Sequence, residues 1–153
     1  MDPADQLSEP AFQADVYAES SAVMAWLQGE NEGQRARLVV ESARAVYCSE
    51  LTIIECERAL IRAVAMGLYR QDVAAVLRVR LHEAVSSWSV VRLLPEILAR
   101  AIRPFPLEPI RTLDAIHVAT ALHLKSILGD FPILSLDDRI RRVAEALGFP
   151  VRP

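Results

Sequence analysis

The sequence predicts an α/β protein, a three-layer α/β/α domain around a central parallel sheet of four or five strands. Three observations predict it. Short apolar runs of strand length alternate with longer runs of helical period along the chain, the pattern of a parallel sheet with crossover helices. Acidic or hydroxyl residues stand where several apolar runs end, at strand–helix junctions. Finally, 153 residues at 52% hydrophobic content are enough for one core, and no run reaches the ~18–20 apolar residues of a membrane span.

Residues 1–13 read as a polar, proline-containing flexible leader, and 14–153 as the single domain. The opening MDPADQLSEP lacks the basic-then-apolar pattern of a signal peptide, so a cytoplasmic location is expected. Ala14 to Tyr17 is a first strand, ending at Glu19-Ser20-Ser21, and Ala22 to Leu27 starts a helix directly after it. ENEGQ breaks the pattern, and Ala36 to Ala45 resumes as a helix. Val46 to Cys48 is a second strand. The helix after it can be capped by Ser49 or Thr52; with Thr52 as cap, Glu55 sits at capping-box spacing. Ile53, Ile54, Ala59, Leu60 and Val64 form its expected buried stripe, and Gly67 ends it.

From Gln71 to Val85 a further helix turns Val73, Val76, Leu77 and Leu81 inward, with His82 at the surface. Trp88 to Leu94 is a third strand and Pro95 to Ile102 a short helix. The apolar stretch Ile110 to Leu124 then forms a buried helix. Thr112 is its expected N-cap, placing Asp114 in the first turn, where the helix dipole favours an ionised acid. Pro132 to Leu136 is a fourth strand ending in Asp137-Asp138. Arg139 to Leu147 closes the chain's helices, and Pro150 to Arg152 adds an edge strand. Trp26, Trp88, Cys48 and Cys56 lie in apolar runs and are expected in the core, the cysteines as reduced thiols.

Glu19 and Asp137 thus terminate strands, Asp114 opens a helix, and Glu55 lies one turn into another. All four can fall on one edge of a parallel sheet, at the strand ends where such folds bind ligands. There is no nucleophile elbow, Walker loop or dinucleotide fingerprint, and five glycines do not make a phosphate cradle. Converging carboxylates repel one another unless a cation neutralises them, and oxygen donors favour Mg²⁺ or Mn²⁺. Such an ion can polarise a phosphodiester and generate hydroxide. Net charge is −3, and of 17 basic residues only Lys125 is lysine. That balance argues against nucleic-acid binding by bulk charge, while arginine suits forked phosphate contacts.

YAESSAV, SELTIIECERAL, RTLDAIHVATAL and ILSLDDRI, in that order, resemble a PIN domain, and more narrowly the VapC toxins of type II toxin–antitoxin pairs. The resemblance covers nearly the whole chain after the leader. It implies a ribonuclease using Mg²⁺ or Mn²⁺, blocked by a cognate antitoxin protein. It assigns catalysis and metal binding to Glu19, Glu55, Asp114 and Asp137, with Asp138 the adjacent alternative to the last. Ser21 and Ser135 match positions where the family carries hydroxyls beside the acids, and Arg58 falls in the family pattern as an RNA or antitoxin contact.

One residue departs from the pattern. The family's first acid is Asp, and here it is Glu19, whose extra methylene moves the carboxylate by roughly 1.5 Å. Two functions therefore stand: an endoribonuclease toxin, and a PIN-fold module that binds antitoxin or RNA with an impaired metal site. His117, one turn beyond Asp114, is expected in a packed or hydrogen-bonded structural role. Apolar residues on the helices at 53–66 and 73–85 exceed one core's needs and suit a homodimer face or an antitoxin groove.

Overall fold

The computed structural model describes residues 14–29 and 31–153; the expected leader and Glu30 lie outside the described residues. The chain runs β1 (Asp15–Ala18), α1 (Ser20–Gln28), α2 (Asn31–Ser42), β2 (Ala45–Ser49), α3 (Glu50–Ala65), α4 (Gln71–Ser87), β3 (Ser89–Val91), α5 (Pro95–Ala101), α6 (Thr112–Leu128), β4 (Ile133–Leu134), α7 (Asp138–Ala146) and β5 (Val151–Arg152). The sheet order is β3-β2-β1-β4-β5, and every pairing is parallel. The expected α/β/α layering is present.

Strand alternation builds the two outer layers. Along β1, Val16 and Ala18 enter a core with Ala22, Val23, Leu60 and Leu81, supplied by α1, α3 and α4. Tyr17, between them, enters the opposite core with Ala121, Leu124 and Phe131. β2 and β4 repeat the division, Val46 and Leu134 going one way and Tyr47 and Ile133 the other. This is the two-residue period of a strand buried on both faces. A further cluster joins Ile97, Phe105, Val118 and Ile140 across α5, α6 and α7. Cys48 and Cys56 are buried free thiols, as expected. Trp26 and Trp88 pack half-buried on the first core, ring centroids 5.8 Å apart.

Several expected details differ. α2 begins at Asn31, inside the supposed break, and stops at Ser42, so that Ala45 opens β2. Gly33 is a contact residue here: a Cβ on it would lie 2.0 Å from the Ala25 carbonyl oxygen, so its absence lets α2 close onto α1. Of the two expected caps of α3, Ser49 is the one used, with Thr52 its reciprocal partner, and this frees Glu55 from capping. Arg111, not Thr112, caps α6, without a side-chain bond. The buried face of α3 is Leu51, Thr52, Cys56 and Leu60, and that of α4 is Ala74, Leu77 and Leu81. Ile54, Val73 and Val76, expected inward, are 54%, 43% and 52% exposed. Ile54 lies off the buried face of α3, and α4 packs on α3 and α1 through Leu77 and Leu81, leaving Val73 and Val76 outside.

One ion pair ties the first two strands at their start. Arg44 Nε and Nη2 donate to Asp15 Oδ1 and Oδ2 at 2.8 and 2.9 Å, beside the Asp15–Ala45 register pair. The hydrogen bonds from Arg44, opposed by burial and helped by its charge, hold the Asp15 carboxyl below its ordinary value. A depressed acid stabilises the fold above the unfolded-state pKa, and that stabilisation is lost as pH falls through the folded value. Because Arg44 is largely exposed, solvent screening trims the effect. Asp15→Asn is expected to cost about 0.5–1 kcal/mol near neutral pH. The cost should vanish once pH drops below the depressed value, as urea midpoints taken across acid pH would show.

Candidate active site

Three parallel strands end on one edge, and each passes directly into a capped helix. β1 hands over to Glu19, the N-cap of α1; β2 ends on Ser49, the cap of α3; β4 leads through Ser135 to Asp137, the cap of α7. The N-terminus of α6 brings Asp114 to the same edge. Helix N-termini carry partial positive charge, which favours acids gathered there.

Glu19 is 3% exposed and heavily bonded. Its Oε1 accepts from Ser20 Oγ at 2.7 Å and from the Ser21 amide at 3.0 Å. Its Oε2 accepts from the Ser21 hydroxyl and from Ser135 Oγ at 2.8 Å. The two serines are themselves oriented from behind: the amides of Leu136 and Asp137 donate to Ser21 Oγ and Ser135 Oγ at 2.9 and 3.1 Å. Three of these donors serve Glu19 alone, against the four acceptor positions of a carboxylate.

Ser20 Oγ also lies 2.7 Å from Glu55 Oε2, so one hydroxyl bridges the two glutamates. His117 Nε2 reaches the same Oε2 at 2.5 Å and stands 4.0 Å from Glu19 Oε1. His117 Nδ1 meets the Tyr17 hydroxyl at 2.9 Å, and Tyr17 donates onward to Ser49 Oγ at 3.2 Å. Burial alone would raise Glu55; the hydrogen bond and charge of His117, with Ser20, outweigh it and hold the carboxyl below its ordinary value.

Asp114 and Asp137 complete the edge. Asp114 Oδ2 is buried with no hydrogen-bond partner among the described residues. Burial, then the negative charge of Asp137 and Glu19, raises its pKa against the pull of Arg139 and Arg111. Arg139 stands between the two aspartates, its Nε 3.8 Å from Asp114 Oδ2 and its Nη2 3.1 Å from Asp137 Oδ2. Its bonds overcome the effect of burial and hold Asp137 below the usual carboxylate range. Asp138 is exposed as the first residue of α7.

All four expected acids therefore stand on one edge, with Ser21 and Ser135 bonded to Glu19. Exposed Arg58 lines an adjoining cleft of about 440 Å³ with Ser20, Ser21, Glu55 and Leu113. Glu19, Glu55 and His117 form the tightest group, with one donor atom from each within 4.8 Å of the others. Its histidine was not among the expected site residues. His82 is at the surface as expected, bonded to Glu57 at 2.7 Å. The sequence reading also missed Tyr17, Ser20 and Arg139. The S-S pair after Glu19 hinted at Ser20, and Arg139 follows Asp137 by two, but Tyr17 reads only as a buried aromatic.

A parallel α/β/α sheet with acids gathered at these strand ends is the arrangement the sequence motifs implied, and the chain belongs to the PIN domain family, whose model matches residues 16–146. Within it the chain is of VapC type: it is 31% identical over 138 residues to Ribonuclease VapC46 of Mycobacterium tuberculosis, covering 90% of this chain and 96% of that protein. Its fold is similar to the crystal structure of VapC20 of the same organism, a toxin described as cleaving the sarcin-ricin loop. That match has a TM-score of 0.64 at 18% identity, over 90% of this chain and 99% of the other. It is also similar to the structure of VapBC2 from Rickettsia felis bound to a DNA fragment from their promoter. There the TM-score is 0.58 at 8% identity, over 89% of this chain and 96% of the other.

Proposed function

We propose that this chain is a divalent-metal-dependent endoribonuclease, the toxin of a VapBC-type pair. The observation that carries the reading is the edge shared by Glu19, Glu55, Asp114 and Asp137, with Asp114 Oδ2 buried and unbonded. The residues fit a cation: they supply carboxylate oxygens suited to Mg²⁺ or Mn²⁺, and Asp114 carries negative charge that the protein leaves only partly compensated. When bound, such an ion polarises the phosphodiester and activates water.

The chain's own residues do the rest. Ser20 holds Glu19 and Glu55 in one register. Ser21 and Ser135 fix the rotamer of the longer Glu19 side chain. Arg58 on the cleft wall and Arg139 between the aspartates are placed to meet phosphate. Cognate antitoxin and a second copy of the chain are the proposed protein partners, and exposed Ile54, Ile61, Val73 and Val76 on α3 and α4 supply apolar surface for them. No helix among the described residues is long and apolar enough to cross a membrane, in keeping with a cytoplasmic site of action.

A second reading, a PIN-fold binding module with an impaired metal site, is favoured by one fact: the Ser21 amide, Ser21 hydroxyl and Ser135 hydroxyl already engage three acceptor positions of Glu19, and the fourth shares Ser20 with Glu55. Cleavage assays with RNA, DNA and a phosphomonoester, in Mn²⁺ and in Mg²⁺, separate the readings. Native protein is expected to cut RNA alone, and Glu55→Gln to lose about a hundredfold or more of that rate. An inert native protein that gains activity on Glu19→Asp would establish the second reading.

A further inference from the structure

Among the acids stands an imidazole that the carboxylate-only description leaves out. His117 is 1% exposed, yet its Nε2 points at the gap between Glu55 and Glu19 rather than into the apolar core. Its other nitrogen is held from behind. Nδ1 meets the Tyr17 hydroxyl at 2.9 Å, Tyr17 donates to Ser49 Oγ, Ser49 Oγ meets Thr52 Oγ1, and Thr52 Oγ1 donates to the Ala18 carbonyl. Each hydroxyl can pass its hydrogen bond toward that carbonyl, so the chain can accept an N–H at Nδ1, and Nε2 offers a lone pair once the proton it shares with Glu55 Oε2 at 2.5 Å is given up. Metal-binding histidines are oriented in this way, one nitrogen on the ion and the other bonded to a buried partner.

Donor counting points the same way. The Ser20 hydroxyl has one proton and faces two carboxylate oxygens at 2.7 Å, so it cannot fully satisfy both Glu19 Oε1 and Glu55 Oε2. Without the Nε2 proton, an acceptor position is left over beside Nε2. The group is also reachable: Glu55 is partly exposed and lines the cleft shared with Ser20 and Arg58.

Resting on the proposed nuclease reading, we propose that His117 Nε2 is a ligand of the cation site together with Glu19 and Glu55. The site is then a mixed nitrogen–oxygen one that takes a divalent transition metal such as Mn²⁺ in preference to Mg²⁺. Imidazole adds affinity for transition ions, whereas Mg²⁺ gains little from nitrogen.

The test is Mn²⁺ binding to tag-free native protein, followed by electron spin-echo spectroscopy for nitrogen coupled to the bound ion, with Mg²⁺ affinity measured by competition. The chain has three histidines, so a His82→Asn/His123→Asn double variant leaves His117 as the sole imidazole. A nitrogen coupling in native protein that survives in the double variant supports the proposal. His117→Gln, where it folds, is expected to weaken Mn²⁺ by about tenfold or more and Mg²⁺ by less than about threefold. Bound Mn²⁺ with no nitrogen coupling, or a coupling lost in the double variant, overturns the proposal while leaving a carboxylate-only nuclease intact. Absence of any Mn²⁺ binding overturns both.

Discussion

Asp114→Asn is expected to abolish RNA cleavage and, in the same protein, to raise stability. In the folded chain this carboxylate is half-buried, its Oδ2 accepts no hydrogen bond, and burial, Asp137 and Glu19 all disfavour its charge. Arg139 compensates only from 3.8 Å. The charge is thus retained against the interest of the fold, which is the usual mark of a group kept for a ligand. Removing it relieves the repulsion and deletes a proposed metal donor. Losing even an outer-shell partner costs a metal site about 10–100-fold, so loss of this acid should cost at least about a hundredfold in cleavage rate. In metal-free buffer the variant should gain about 0.5–1 kcal/mol, or ~1–4 °C in melting temperature for a domain of this size. Unfolding in EDTA beside a cleavage assay checks both halves. Unchanged cleavage would place the chemistry elsewhere, and a less stable variant would mean that Asp114 is a structural acid.

Glu19→Ala is expected to produce the largest loss of stability at the site. The carboxylate caps α1 through the Ser21 amide, which is worth about 1 kcal/mol. It is also the acceptor for partly buried Ser21 and fully buried Ser135, and a buried hydroxyl left without an acceptor costs about 1–3 kcal/mol. Relief of repulsion on Asp114 offsets part of this, leaving a net cost of about 3 kcal/mol. A melting temperature roughly 6–12 °C lower follows. Glu19→Asp should fall between, keeping the cap but drawing back from Ser135, which Glu19 now reaches at 2.8 Å. Urea denaturation of the three proteins in EDTA measures the series. A Glu19→Ala protein as stable as the parent would show that the serine network is incidental.

The cost of these acids explains why the sequence was readable where it was. Val16, Tyr17 and Ala18 are buried on both faces of β1, so the strand could only be an apolar run, and the acid after it had to mark its end. The same logic exposed Asp137, and the expected Thr112 cap, one residue late, still placed Asp114 in the first turn of α6. What pattern could not supply were partners distant along the chain. His117 looks like one polar residue in an apolar helix, and its partner Glu55 is 62 positions away. Thr52 three residues before Glu55 fits a capping box on paper, but Ser49 occupies the cap. Gly33 reads as a breaker, and only the approach of α1 shows it to be a packing residue. On α3 and α4 apolar residues occur on more than one face, so periodicity alone did not choose Leu77 and Leu81 over Val73 and Val76.

The central claim is that the acidic edge cuts RNA with the help of a divalent cation. The most direct measurement is cleavage of RNA by the purified chain after exhaustive chelation and again after Mn²⁺ is restored, with Asp114→Asn carried through the same purification. No cleavage in chelator, recovery with Mn²⁺, and no recovery in the variant are expected. Cleavage that persists in chelator, or that recovers equally in Asp114→Asn, would contradict that claim.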